Sequence, residues 1–324
     1  MPKGVEIAGF GAGAQDYFRP IGDVDDDHQP GAKKSTWTDR EDRLLQELIA
    51  QGCETHVGGN VVNTLAYLAC RGSLQPNVRF VSALGHDQAS DAIRNELSLL
   101  NIHGMTNDSP DYLPSVSIVE RRAPGHDRMV KGRPRTPLDA YVSNRQIHQA
   151  TANADVVIAA SLKSIDLTDR VFAQTPEDTF TSYNPGSSEF DDPDALRELM
   201  TKYYPNLLAL NDDELRQLMG ASKDADPFEL AAEANRYALN VLCTLGKQGI
   251  LLSNGHRVLY HPAAEIPPHQ VVDTLGAGDR AHAIALDGLL SRKSGHAILS
   301  KVAQGTASVI QHVGAHGDLY ADAH

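Results

Sequence analysis

The chain predicts an α/β protein built on a doubly wound, mostly parallel sheet with helices on both faces, and three observations carry that prediction. Four brief apolar runs, Asp155 to Ala160, Phe180 to Tyr183, Asn206 to Leu210 and Asn240 to Thr244, alternate with helical segments. Strands separated by helices pair in parallel and are covered on both sides. Polar groups follow three of these runs (Asn184; Asn211-Asp212-Asp213-Glu214; Thr244-Leu245-Gly246-Lys247-Gln248-Gly249), and sheets of this kind bind ligands outside their carboxyl ends. Finally, 324 residues with 41% hydrophobic content can bury a sizeable core, as one large domain or a domain with a smaller appendage.

In chain order, Val5 to Gly9 reads as a first strand and Gly11-Ala12-Gly13-Ala14-Gln15-Asp16 as the loop leaving it. The loop lacks the third glycine of a dinucleotide fingerprint, and Tyr17-Phe18-Arg19-Pro20 starts a helix poorly, which excludes a Rossmann cofactor site. Residues 22 to 40 are polar, with Asp23, Asp25, Asp26 and Asp27 near Pro30 and Gly31. A calcium loop would need glycine and glutamate where His28 and Lys34 stand, so a solvated loop is expected. Asp39 to Ala50 reads as an amphipathic helix with Leu44, Leu45, Leu48 and Ile49 on one side.

Gly58-Gly59-Asn60-Val61-Val62-Asn63 opens an alanine-rich helix that ends at Gly72. The glycines let a ligand approach the backbone closely, and Asn63 offers both a donor and an acceptor; a plain asparagine cap would explain Asn60 alone. Val78 to Leu84 is strand-like, and Gly85-His86-Asp87 leads into a helix over Ala89 to Leu100 that Asp87 caps or braces. Val116 to Glu120 and Met129-Val130 read as short strands around the turn Ala123-Pro124-Gly125.

The stretch that organises the chain is Asp273-Thr274-Leu275-Gly276-Ala277-Gly278-Asp279. Small residues opening a helix point N–H groups at one spot, and the helix dipole favours an anion there. Gly276, Ala277 and Gly278 therefore read as a cradle for phosphate. Asp279 would repel phosphate, so it reads as the acceptor of a proton from an attacking hydroxyl, with helix capping as the plainer alternative. Asn211 and Glu214 have the spacing of a capping box.

Together these stretches resemble the ribokinase-like (PfkB-type) carbohydrate kinases. Asp273-Thr-x-Gly-Ala-Gly-Asp279 matches the family's second signature, and the Gly58-Gly59 to Asn63 turn with its helix matches the first, in the same order. The resemblance runs from about Val5 to about Val313. It implies a single ribokinase-like domain over 1–324 with a small β lid from segments near 17–57 and 112–132. It also implies ATP-dependent phosphorylation of a hydroxymethyl group of a sugar. Asp279 would be the base and Gly276, Ala277 and Gly278 the anion hole. Asp16, Gly58, Gly59 and Asn63 would hold the sugar. Asn184, Asn211, Thr244, Gly246 and Gly249 would lie near the nucleotide, and Glu214 would serve magnesium through water. A potassium ion near the Asp273-Thr274 backbone and a homodimer are further expectations. The chain departs from the family at Ala281 and Ile284, where phenylalanine and glycine are common, and Arg280 follows the acid, to contact phosphate or to lower the basicity of Asp279. A nucleoside kinase, with Tyr17, Phe18 and Trp37 nearest to an aromatic shelf, and a catalytically weak sugar- or nucleotide-binding homologue are the alternatives.

Composition narrows the remaining classes. With 42 acidic against 29 basic residues the net charge is −13, which disfavours nucleic acid and anionic membranes as partners. No stretch reaches the roughly 18 apolar residues of a membrane span, and a cytoplasmic protein is expected. Cys53, Cys70 and Cys243 form no pair, and the 14 histidines show no ligand spacing.

Overall fold

The computed structural model describes residues 4–19, 33–34, 37–120, 129–133 and 135–319. The acidic run at 22–32 and the turn Ala123-Pro124-Gly125 lie outside them.

Among the described residues, nine strands form one sheet in the order β14 (Val258–His261), β13 (Ile250–Ser253), β12 (Asn240–Thr244), β11 (Leu207–Asn211), β10 (Phe180–Asn184), β9 (Val156–Ala160), β1 (Glu6–Phe10), β5 (Asn77–Leu84) and β6 (His103–Asp108). From β12 to β6 every pairing is parallel; β13 and β14 add an antiparallel edge. The side chains alternate between two cores, as the two-residue period of a strand requires. Val156, Ile158 and Ala160 join one core, and Val157 and Ala159 the other.

The first core is closed by helices α2 (Asn60–Arg71), α3 (Gln88–Leu99), α9 (Ala277–Leu290) and α10 (Gly295–Val309). The second is closed by α4 (Asn144–Thr151), α5 (Ile165–Ala173), α6 (Pro193–Tyr203), α7 (Asp212–Met219) and α8 (Pro227–Glu233). Buried leucines and isoleucines such as Leu65, Ile93, Leu196 and Leu215 each contribute about 1.5–3 kcal/mol.

A second sheet has the order β3 (Lys33–Lys34), β8 (Met129–Arg133), β7 (Ser115–Glu120), β2 (Ala14–Arg19) and β4 (Thr55–Gly58). Helix α1 (Asp39–Ala50) starts in a Thr38–Glu41 capping box and lays Leu45 and Leu48 against Tyr17, Val116 and Ile118 of this sheet.

Three features differ from the sequence expectation. Asp16 stands in β2, because Ala14 to Tyr17 pair with both β4 and β7 and the glycines before it complete the turn. Strand β6 was not anticipated: His103-Gly-Met-Thr-Asn-Asp108 is largely exposed at the sheet edge and shows no apolar alternation. The hairpin of β13 and β14 also escaped, since its pairing with β12 is set by sheet geometry rather than by a turn motif.

From β1 the chain runs to β5 and β6 on one side, then returns to β9 and continues to β14 on the other. The crevice between the carboxyl ends of β1 and β9 is the topological switch point, where α/β sheets bind ligands.

Candidate active site

Two helix starts and the small sheet converge on that crevice. Helix α2 begins after Gly59, whose φ is +105° and whose missing Cβ would stand 2.4 Å from the Ala12 carbonyl oxygen. Only glycine brings the helix this close to the β1–β2 turn. The approach places Asn63, one turn into α2, against α9: its Nδ2 donates to Asp279 Oδ2 at 2.7 Å. The Asn63 Oδ1 atom is buried with no hydrogen-bond partner, an open acceptor beside the acid. Asp16 packs on the same wall, where a Cβ on Gly58 would lie 2.8 Å from its Oδ2.

Helix α9 starts from Gly276 at φ +77°, with no side chain capping its first amides. A Cβ at Gly276 would meet the Ala315 Cβ at 2.4 Å, whereas one at Gly278 would meet nothing within 4 Å. The first-turn amides of a helix have no intrahelical acceptor, and here they face open space at the positive end of the dipole. The Ala277 N–H leans back to the Thr274 carbonyl at 3.4 Å. Asp273 shapes the approach, accepting from the amides of Leu275 at 2.9 Å and Gly314 at 3.0 Å.

The turn separates two cavities. One, of about 380 Å³, is lined by Gly276 and Asp279 together with Asp16, Gly59, Asn60, Asn63 and Glu214. Its small-sheet wall presents Ser115, Ser117 and Gly132, and it also holds Arg133, Arg135 and Lys163, which sequence reasoning missed. Isolated basic residues near strand ends carry no spacing signal before the register of β8 is known. The other cavity, of about 680 Å³, is lined by Ala277, Gly278, Thr244, Gly246 and Gly249, with Ile250, Ile266, Val271 and Ile310 forming apolar walls.

Asn211 and Glu214 do form a capping box at the start of α7, with the Glu214 N–H donating to Asn211 Oδ1 and the Asn211 N–H to Glu214 Oε2, both at 2.9 Å. Glu214 still lines the smaller cavity, so capping and a ligand role coexist there. Asn184 lines neither cavity; its amide donates to the Ala209 carbonyl and accepts from Asn60, tying β10 to β11 and to α2. Asp87 caps α3 by accepting from the Ser90 amide.

Arg280 turns away from the crevice. It forms a two-pronged pair with Asp318, at 2.5 and 2.7 Å, and lies over the Tyr67 ring. Burial raises the Asp318 carboxyl, but the guanidinium, aided by the Ser308 hydroxyl, more than offsets this and holds it below its ordinary range. Contact of Arg280 with phosphate is thus replaced by a structural pairing. Ile284 also has a physical account. A Cβ on Gly305 of α10 would fall 2.2 Å from Ile284 Cδ1, so the glycine that permits close helix packing stands on the partner helix.

The PfkB carbohydrate kinase family model matches residues 39–320. Solved structures of similar fold include adenosine kinase from Sinorhizobium meliloti, with a TM-score of 0.76, 18% identity, and 97% and 96% of the two chains covered. Adenosine kinase from Schistosoma mansoni in complex with 2-fluoroadenosine gives 0.79 at 16% identity, covering 97% of each chain. Arabidopsis thaliana ribokinase complexed with ribose and ATP gives 0.74 at 20% identity, covering 98% and 96%. No curated protein sequence matches. Among the described residues no helix is long and apolar enough to cross a membrane. A family model covering most of the chain, over a fold shared along its whole length with ribokinase and adenosine kinases, places this protein in the PfkB family of carbohydrate kinases.

Proposed function

We propose that this protein transfers the γ-phosphoryl group of ATP to a hydroxymethyl group of a sugar or sugar-like acceptor. The observation that carries the reading is that one turn, residues 276–279, lines both cavities: Asp279 faces the smaller and Ala277 and Gly278 the larger. The apolar slot of the larger cavity suits a purine, and Gly246, at φ +57° with no atom within 4 Å of its Cβ position, leaves room for phosphates.

The acceptor would lie against Asp16, Gly59 and Asn63. Asp279 takes the hydroxyl proton as the oxygen forms its bond to the γ-phosphorus; the bond between that phosphorus and the β–γ bridging oxygen breaks, and ADP leaves with the electron pair. Asn63 holds the carboxylate in place, and the uncapped first turn of α9 stabilises charge on the transferred group. Magnesium entering with the nucleotide would neutralise phosphate charge, and Glu214 fits its habit of taking few carboxylates and several waters. The implied potassium ion would rest on the loop backbone that Asp273 shapes.

A nucleoside acceptor is the second reading, favoured by the likeness to adenosine kinases. A base would need an aromatic shelf. Tyr17 and Trp37 pack with α1 instead, Phe18 is buried edge-on to His56, and no aromatic residue among those described lines the smaller cavity.

The test is ADP release from Mg-ATP across sugars, sugar acids, sugar phosphates and nucleosides, with Asp279→Asn in parallel. The amide keeps the Asn63 contact and loses the base, so a rate deficit of about 10²- to 10⁴-fold with acceptor binding retained is expected. An Asp279→Asn variant as fast as the parent would refute the assignment.

A further inference from the structure

We propose that the acceptor is an anionic polyol, a sugar acid or a sugar phosphate, whose oxyanion is bound by Arg135 with Arg133 and Lys163. This rests on the kinase reading and narrows the substrate class of the same site.

Arg133 ends β8 and Arg135 follows two residues later, so the small sheet delivers both to the acceptor cavity. Arg135 is only 8% exposed. Its Nη2 donates to the carbonyls of Ser161 at 3.1 Å and Leu162 at 2.5 Å, which fastens the guanidinium to the loop after β9. Its Nη1 is buried with no hydrogen-bond partner, and so is Arg133 Nε. The Tyr112 hydroxyl lies near Arg135 but outside hydrogen-bond geometry, and it carries no countercharge. A buried guanidinium without a carboxylate is unfavourable, and its fork of donors matches a carboxylate or phosphate.

Two of the acids that share the cavity have partners other than the arginines. Asp279 is held by Asn63 and Glu214 by the Asn211 amide. The loop that fastens Arg135 also carries Lys163, and it holds two non-glycine residues in the left-handed region, Ser161 at φ +49° and Lys163 at φ +60°. Such strain persists where surrounding structure enforces it and clusters at ligand sites. The hydroxyl oxygens of a neutral sugar could accept from these open donors but would leave the guanidinium charge uncompensated, whereas an oxyanion supplies both the acceptors and the charge.

The experiment compares ribose, fructose and adenosine as neutral acceptors, gluconate and 2-keto-3-deoxygluconate as carboxylates, and fructose 6-phosphate as a phosphate. ADP release is measured for each, and binding of each is measured by calorimetry without ATP. Arg135→Gln and the less buried Arg133→Gln are run alongside, with circular dichroism melts to verify folding. The expected result is a preference for one anionic arm, which names carboxylate or phosphate, and its collapse by about 100-fold in either variant through KM. Neutral acceptors turned over as well as anionic ones would overturn the inference. So would an arginine defect equal for all acceptors, which would mean that the cations serve the transferred phosphoryl group instead. No ADP release with any acceptor, yet anion binding that is lost in Arg135→Gln, would sink the kinase reading and leave the anion site standing. Absence of both would overturn both.

Discussion

Helix α9 carries the proposed base, and three residues beyond Asp279 it buries a histidine. His282 Nε2 lies 2.6 Å from Ser182 Oγ on β10, while its Nδ1 has no partner. Complete burial pushes the imidazole down from 6.5 to about 4. In the unfolded chain it titrates near its ordinary value of about 6.5. The neutral form is therefore the one that folding favours, and its stabilisation is fully present above about pH 7. As pH falls from there through about 4, the unfolded state takes up a proton that the folded state refuses, and stability declines. Linkage over that interval gives a loss of about 2 kcal/mol by about pH 5 and about 3 kcal/mol in the acid limit.

Urea unfolding at about pH 7.5 and about pH 5 should show this loss in the parent. His282→Gln, which keeps a polar group for Ser182 but does not titrate, should lose about 2 kcal/mol less between the two conditions. Should both proteins respond to pH alike within about 0.5 kcal/mol, the reasoning about His282 is refuted.

Two further substitutions test the packing around the site. Arg280→Met strips the buried Asp318 carboxylate of its cationic partner, leaving it the Ser308 hydroxyl, and should cost about 3 kcal/mol in thermal or urea unfolding, whereas Arg280→Met with Asp318→Leu should recover most of it. Gly249 sits at φ +120° with its Cβ position 2.3 Å from the His261 carbonyl oxygen. Gly249→Ala should cost about 1–3 kcal/mol and raise KM for ATP more than KM for the acceptor, since the loop it distorts lines only the larger cavity.

Much of the candidate site was legible because its demands are local. Gly59 and Gly276 occupy left-handed conformations that other residues adopt poorly, and each also permits a contact that a Cβ would block. Asn63 follows Gly59 by one helical turn and Asp279 follows Gly276 within the first turn of α9, so chain spacing carries each side chain to where the two meet at 2.7 Å. Alternating apolar runs and helices likewise specify a parallel sheet covered on both faces.

The rest depended on residues far apart in the chain. Nothing adjacent to Arg280 announces that its partner is Asp318, and without that partner the arginine reads either as a phosphate contact or as a charge that lowers the basicity of Asp279. Ile284 looks like a lost glycine until α10 brings Gly305 against it. Arg133 and Arg135 acquire meaning only when the register of β8 against β7 brings them to the smaller cavity and the loop after β9 captures one of them. The sequence by itself determined where the backbone must turn tightly and which side chains follow each turn, because steric limits on φ and ψ act residue by residue. Only the tertiary structure decided which charged groups are paired and which keep open donors, because pairing depends on how separate layers pack.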